Sequence, residues 1–300
     1  MRIDVYTPIL LSPLLTALSP LVGRRVAPAL AARVLTASAV FTAAATTWSL
    51  FLLATTLVGE APPVVADARA DGHALVDPVP EAIAVAAIVA LVLISVRVYR
   101  TARAERATRR ALRALCAGHP PDTELLVAAS AVPQAFAIPA SGGAPGRILV
   151  TSAMLSALEP AERRVLLAHE RAHLTHRHAF LATAVALAVA ADPLLVPVRT
   201  AVTFLIERWA DEQAADAVGD RSTTARALAR AALTARRRKA ACALNFTDRA
   251  VTRRIAALQA GPPPHLWPLA ATTLALGALP ASAAVDATGD LLRLLEHVPV

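Results

Sequence analysis

The sequence predicts a mainly α-helical, polytopic membrane protein with a small α+β domain on the cytoplasmic side of the bilayer. Three observations predict this fold class. Hydrophobic residues make up 56% of the 300 residues and charged residues only 17%, a more apolar balance than in typical soluble domains. Uncharged runs of membrane-spanning length lie near both ends of the chain. The basic stretch between them contains short apolar segments that are separated by a turn signal.

Four apolar runs are long enough to span a membrane, namely residues 5–22, 34–58, 82–99 and 266–285. Each is close to the roughly 20 residues that a helix needs to cross about 30 Å of hydrocarbon. The first run also resembles a signal peptide, but arginines follow its apolar core and prolines interrupt it. We therefore predict four transmembrane helices, with the first one retained.

The distribution of charge predicts how these helices are oriented. The linker between the first two runs is basic, whereas loop 59–81 carries five acidic residues against one arginine. A basic cluster follows the third run and consists of Arg97, Arg100, Arg103, Arg106, Arg109, Arg110 and Arg113. Because basic residues accumulate on the cytoplasmic side, we expect loop 59–81 and both termini outside the cytoplasm. Segment 100–265 is then cytoplasmic, and residues 286–300 form a short extracytoplasmic tail.

The net charge of +8 does not require a nucleic-acid partner. The arginines cluster beside predicted membrane helices, where they orient the chain and contact anionic lipids. We expect the lipid bilayer as a partner of this multi-pass cell-membrane protein and no direct binding of nucleic acid. The oligomeric state is left open.

The cytoplasmic segment begins with a basic helix over residues 100–117 and continues with three short apolar runs. "LLVAAS", "AFAIP" and "GRILV", separated by "ASGGAPG", predict a small sheet. A helix is predicted over residues 159–178, with Pro160 and Glu162 in its first turn, where both are favourable. The apolar stretches on either side of Asp192 are about a dozen residues each, too short to cross singly. They predict a re-entrant or interfacial hairpin over residues 179–206.

Helical structure is also predicted beyond the hairpin. A helix continues from about residue 201 and ends at Gly219, a residue type that favours helix C-termini. The basic stretch 221–258 is helical by composition.

The stretch "HERAH", residues 169–173, is an HExxH motif inside the predicted helix. His169 and His173 lie four residues apart, on one helical face and about 6 Å apart along the axis. Two neutral imidazoles in this arrangement converge on one Zn²⁺. Glu170 is placed to take a proton from water rather than to bind the metal. A chance occurrence of the motif is the alternative.

A catalytic zinc needs a third protein ligand and one open position. His176 lies about 10 Å along the helix from His169, too far to join the pair while the helix is intact. We therefore expect His176 and His178 at the membrane interface, and the third ligand from another element.

The stretch "ERWAD" offers that third ligand. Glu207 and Asp211 share one helical face, beyond the apolar hairpin that returns the chain toward the HExxH helix. In this interpretation Glu207 binds the metal, and Asp211 accepts a hydrogen bond from the other nitrogen of a ligand histidine, which fixes its orientation. By itself the pair also fits an ordinary solvent-exposed helix; together with HExxH, the metal site is favoured.

The segments "AFAIP", "GRILVTSAMLSALEPAERRVLLAHERAH", the hairpin with "DP", "ERWADEQAAD" and "VTRRIAAL" together resemble a known family. They are similar to the BlaR/MecR-type membrane metallopeptidases, which are antirepressors and β-lactam sensors, and to the related HtpX and CAAX-prenyl-protease gluzincins. The resemblance covers about residues 125–258. It implies a gluzincin-like α+β zinc protease domain with His169, His173 and Glu207 as ligands, Glu170 as base and Asp211 in a supporting position.

The resemblance also implies a zinc metalloendopeptidase that cleaves a protein or peptide substrate at the cytoplasmic face. A transcriptional repressor is the expected substrate, which makes the protein a signalling protease. A membrane-protein quality-control protease of HtpX type and a non-hydrolytic zinc-binding scaffold are the alternatives. Only about fifteen residues follow residue 285, without an SxxK motif. We therefore expect no covalent sensing of β-lactams by this chain.

Overall fold

The computed structural model describes residues 2–59, 80–120, 122–236, 244–261 and 266–296. The chain is mainly helical with one small sheet, as predicted. The helices are α1 (Arg2–Arg25), α2 (Pro28–Gly59), α3 (Glu81–Ala114), α4 (Ser152–Ala157), α5 (Pro160–Thr175), α6 (His178–Ala191), α7 (Val196–Val218), α8 (Arg221–Arg236), α9 (Leu244–Gln259) and α10 (Trp267–Glu296). The strands are β1 (Leu125–Ala128), β2 (Ala135–Ile138) and β3 (Arg147–Thr151).

Helices occupy all four runs for which the sequence predicts membrane spans. Within the described residues, two helical segments are long and apolar enough to cross a bilayer, Pro28–Thr55 of α2 and the whole of α3. In α10 the apolar helical stretch is shorter, Trp267–Leu279. The four-span topology therefore stays a prediction. Loop 59–81 lies almost entirely outside the described residues.

The last helix is longer than predicted. It continues to Glu296, whereas the sequence predicts a tail from residue 286 onward. Charged residues end the apolar run at this point, but no proline interrupts residues 286–296, so nothing in the backbone stops the helix. Residues 297–300 of the predicted tail are outside the described part of the chain.

The apolar segment 179–206 forms a helical hairpin that packs against α1 and α2. Helices α6 and α7 are joined by a 3₁₀ turn, Pro193–Leu195, which Asp192 precedes. Asp192 accepts hydrogen bonds from the backbone N–H of Leu194, at 3.0 Å, and from the hydroxyl of Ser12. The shared core between these helices includes Leu15, Val22, Leu35, Ala39, Val185, Val189, Leu195, Val198, Val202 and Leu205.

The predicted helix over residues 159–178 is interrupted near its end. Helix α5 stops at Thr175, and Arg177 has φ of 52°, in the left-handed region that residues other than glycine rarely occupy. Helix α6 then starts at His178, bent by 57° relative to α5. The break turns the chain from the HExxH helix into the hairpin.

The three strands form one sheet in the order β1-β3-β2. Strand β1 is parallel to β3, and β2 is antiparallel to it, so β2 has one edge unpaired within the described residues. Helix α5 packs against β2 and β3 on one side and against α7 on another. Helices α8 and α9 pack together beside α7. The HExxH helix therefore lies between the edge strand and the helix that carries "ERWAD".

Candidate metal centre

The N-terminus of α5 is fixed by its own first turn. Pro160 needs no hydrogen-bond partner at this position, and the Glu162 carboxylate accepts the backbone N–H of Glu159 at 2.9 Å. Arg230 of α8 lies 3.1 Å from Glu162, which is almost fully buried. These contacts position the HExxH residues two turns further along the helix.

The structure brings together His169, His173 and Glu207, the three residues predicted as ligands. One potential ligand atom from each lies within 4.8 Å of the others. The two Nε2 atoms of the histidines are 3.2 Å apart. The carboxylate oxygens of Glu207 lie 3.6 Å from Nε2 of His169 and 3.7 Å from Nε2 of His173. Two helices that are distant in the sequence thus direct a nitrogen–nitrogen–oxygen set at one point.

This arrangement fits a tetrahedral divalent metal. Ligand distances of about 2.0–2.2 Å around zinc place neighbouring donor atoms about 3–3.5 Å apart. The separations in the centre lie in this range or slightly above it. Two imidazole nitrogens at 3.2 Å cannot both carry a proton directed at the other, so at least one presents a lone pair.

Asp211 contacts the ring nitrogen of His169 that faces away from Glu207. Its Oδ1 lies 3.1 Å from Nδ1 of His169, so the ring donates through Nδ1 and directs Nε2 toward Glu207. Arg254 of α9 donates two hydrogen bonds of 2.7 Å to the same carboxylate. A third nitrogen of Arg254 lies 3.0 Å from Glu207. Arg254 lies in "VTRRIAAL", one of the segments on which the resemblance rests, but no local pattern in the sequence indicates its contact with Asp211.

His178 contacts the ring nitrogen of His173 that faces away from Glu207. Nδ1 of His178 lies 3.0 Å from Nδ1 of His173, and His178 is buried. The expectation that His178 lies at the membrane interface is wrong, because the break at Arg177 turns it inward against Trp209, with ring centroids 4.6 Å apart. His176 also stacks on Trp209 and contacts Gln213, but it makes no contact with a ligand atom.

Glu170 is buried beside the three potential ligands, with 7% of its surface exposed. Burial raises the pKa of its carboxyl group, and the negative charge of Glu207 acts in the same direction. The charge of His169 and a hydrogen bond from the backbone of Ala137, on β2, act in the opposite direction. Glu170 therefore faces both the potential ligands and the edge strand.

The charges of the centre are strongly coupled. Burial disfavours a charged His169, but the hydrogen bond to Asp211 and the nearby carboxylate of Glu207 outweigh it and raise the pKa of His169 to about 10. Burial and the neighbouring charge of His169 lower the pKa of His173 to about 4. Partial burial opposes a charged Glu207, but the adjacent His169 and the charge of Arg254 lower its pKa. A cation is thus favoured between Glu207 and His169, and a metal ion bound there would replace a proton.

Two imidazoles from an HExxH motif, a carboxylate from a downstream helix and a buried acid next to them define the class of metallopeptidases. The profile of Peptidase family M48 matches residues 99–263, more than half of the chain, and the chain belongs to this family. Membership agrees with the HtpX and CAAX-protease part of the resemblance and supports a metallopeptidase function. The resemblance to the BlaR/MecR type stays a prediction. No curated protein and no solved structure gives a significant match.

Proposed function

We propose that this protein is a membrane-embedded zinc endopeptidase that hydrolyses peptide bonds at the cytoplasmic face. One observation carries the proposal: His169, His173 and Glu207 present their ligand atoms within 4.8 Å of one another, with buried Glu170 beside them. A purely structural zinc site uses four protein ligands and needs no adjacent buried acid. Three ligands leave one position for water or substrate.

Zinc is the metal that this donor set favours. Two imidazoles and one carboxylate are typical of catalytic zinc sites, whereas magnesium and calcium prefer oxygen ligands alone. A bound zinc supplies Lewis-acid activation of water and polarisation of the peptide carbonyl. Asp211 and His178 contribute by keeping the two Nε2 atoms directed at the metal.

Glu170 acts as the general base in this mechanism. Its carboxylate accepts a proton from the attacking water and delivers it to the nitrogen of the leaving amine. Because burial raises its pKa, this carboxylate is a stronger base toward the attacking water than an exposed glutamate. Removal of such a base typically lowers the rate by about 10²–10⁴-fold.

The unpaired edge of β2 is the proposed position of the substrate. An extended peptide that adds to a strand edge is held by main-chain hydrogen bonds, independently of its side chains. Ala137 of β2 interacts with Glu170 through its backbone, so a peptide along this edge passes next to the base. Extended or unfolded segments of proteins are therefore the expected substrates.

Two substrate classes are candidates, one from the sequence resemblance and one from the family match. Resemblance to the BlaR/MecR type supports regulatory cleavage of one repressor-like protein, which is our first proposal. The M48 match supports a second candidate, a quality-control protease of HtpX type that cleaves many damaged membrane proteins. Helices α2 and α3, both able to span a bilayer, and the adjacent arginines support a membrane location with the site in the cytoplasm.

The proposal is tested by zinc content and cleavage in the same preparation. We expect purified protein in neutral detergent to bind about one zinc and to cleave casein or itself. Glu170→Ala should retain the zinc and lose activity by about 10²–10⁴-fold, whereas Glu124→Ala, which removes an exposed glutamate outside the centre, should stay active. Full activity of Glu170→Ala would contradict the role of Glu170 as general base. If the unmodified protein binds zinc but cleaves nothing, the protein is a zinc-binding scaffold and not a peptidase.

The two substrate classes are separated by trapping. Glu170→Ala protein expressed in its native host should hold substrates that it cannot cleave, and these are identified by crosslinking and mass spectrometry. Enrichment of a single repressor-like protein supports the signalling protease. Enrichment of many unrelated membrane proteins supports quality control.

A further inference from the structure

A cavity of about 250 Å³ lies between α3 and the α6–α7 hairpin, away from the metal centre. Three arginines line it, Arg97 and Arg100 from α3 and Arg199 from α7. The rest of the lining comes from Thr101 and from Ala186, Val189 and Ala190 of α6. Among the described residues, no carboxylate lines this cavity.

The three guanidinium groups lack acidic partners in the described part of the chain. Arg97 donates one hydrogen bond to the carbonyl oxygen of Val189, at 3.3 Å. Arg100 and Arg199 are exposed, and neither forms a hydrogen bond or ion pair through its side chain with a described residue. Three like charges around one cavity repel each other unless an anion lies between them. The planar, multiply donating guanidinium is the side chain best suited to a phosphate group.

The cavity lies where the apolar surface of α3 gives way to a basic one. Large apolar side chains are exposed on α3 up to this level, including Val92, Leu93 and Val96, which are 48–58% exposed. Arg97 follows at once, and Arg100 comes one turn later. On the hairpin, Leu194 and Val196 are about half exposed just before Arg199. Such a boundary between apolar and basic surface marks the headgroup region of a bilayer.

We infer that this cavity binds the phosphate group of an anionic phospholipid, with the acyl chains along the exposed apolar face of α3. Basic pockets between membrane helices on the cytoplasmic side are suited to lipid headgroups. A free phosphate ion shares the charge chemistry, but it makes no use of the adjacent apolar side chains. The inference rests on the proposed membrane location and is independent of the peptidase chemistry.

Native mass spectrometry of the purified full-length protein, in neutral detergent, tests the inference. The probes are phosphatidylglycerol, which is anionic, phosphatidylcholine, which is zwitterionic, and inorganic phosphate. We expect saturable binding of phosphatidylglycerol and weaker binding of the other two. Phosphatidylcholine binding of equal strength would overturn the anionic selectivity. Phosphate that competes at the same concentration as the lipid would overturn the lipid assignment.

Two matched triple variants separate this cavity from the general basic character of α3. R97Q/R100Q/R199Q removes the three cavity charges, whereas R103Q/R106Q/R110Q removes three charges from exposed positions further along α3. An arginine near an anionic headgroup contributes about fivefold in affinity, so the cavity variant should bind phosphatidylglycerol roughly 100-fold more weakly. The control variant should change it by less than about fivefold. Equal losses in both variants would overturn the inference.

A single variant guards against misfolding of the triple variant. Arg199 has no described side-chain partner, so Arg199→Gln removes no contact within the described protein, and its thermal unfolding without lipid should be unchanged. It should still lose about fivefold in phosphatidylglycerol affinity. Undiminished affinity would exclude Arg199 from the site. The lipid-binding measurements can also be made with Glu170→Ala protein, so they test the inference even if the peptidase proposal fails.

Discussion

The two histidines of the metal centre are held by opposite kinds of environment. On the His169 side, a carboxylate from α7 and a guanidinium from α9 form a buried charged network. On the His173 side, a neutral ring contact to buried His178 is packed against Trp209. Both arrangements occupy the Nδ1 atom and direct Nε2 inward. Charge therefore orients one ligand, and aromatic packing orients the other.

The difference shows how the centre balances its charge. Asp211 and Glu207 bring two negative charges, which Arg254 contacts at 2.7 and 3.0 Å. With Glu170 also buried beside the centre, a further carboxylate next to His173 would add to the excess of buried negative charge in the metal-free protein. His178 adds none. We therefore expect substitutions on the His169 side to change both metal affinity and folding stability, and substitutions on the His173 side to change mainly affinity.

The largest effect is expected for Asp211→Asn. The amide keeps the shape and still accepts a hydrogen bond from His169, but it removes the buried negative charge that Arg254 contacts at 2.7 Å and leaves Arg254 with its contact to the partly exposed Glu207. We expect the free energy of unfolding to fall by about 3–5 kcal/mol and zinc affinity to fall by up to about 100-fold. Competition with a zinc chelator and denaturant titration measure the two quantities. Unchanged stability would show that Arg254 does not need Asp211.

Arg254→Met is expected to lower the folding stability, and by more without zinc than with zinc bound. Without zinc, buried Asp211 and partly exposed Glu207 lose their shared cation, and the free energy of unfolding should fall by about 3 kcal/mol. With zinc bound, a divalent cation offsets the same carboxylates, so the loss should be smaller. Denaturant titrations with EDTA and with zinc give the comparison. Equal losses under both conditions would contradict an electrostatic role for Arg254.

The smallest effect is expected on the His173 side, for His178→Phe. Phenylalanine keeps the packing against Trp209 but cannot accept a hydrogen bond from His173. Zinc affinity should fall by about tenfold, with little change in unfolding. His176→Phe is the matched control, because His176 stacks on the same tryptophan without contacting a ligand; it should leave affinity within about threefold. Equal effects of the two variants on zinc affinity would show that His178 contributes through packing and not through its hydrogen bond with His173.

Sequence reasoning performs best where the residues of the site are close in the chain. His169 and His173 lie one helical turn apart, and so do Glu207 and Asp211, so local periodicity places each pair on one face. The joining of the two pairs depends on the hairpin, whose apolar stretches are visible in the sequence. The geometry agrees with this placement, and the roles of the residues remain our proposal.

The contacts that sequence reasoning missed depend on tertiary structure or on unusual backbone. Arg254 reaches Asp211 across 43 positions of the chain, and an arginine in a basic helix is most often a solvent-exposed residue. The inward position of His178 follows from the left-handed conformation of Arg177, which no local pattern indicates, because arginine rarely adopts it. The two additional supporting residues were therefore visible only once the helices were packed.

The packed hairpin also has a thermodynamic consequence for the metal centre. His173 and Glu207 are 34 positions apart, and in a flexible chain closure of such a loop would cost about 3 kcal/mol of entropy. Here that ordering is complete before any ion arrives, because the intervening helices are buried against α1 and α2. The three candidate ligands are preorganised by a part of the chain that supplies none of them, and the affinity for an ion bound there would be correspondingly higher.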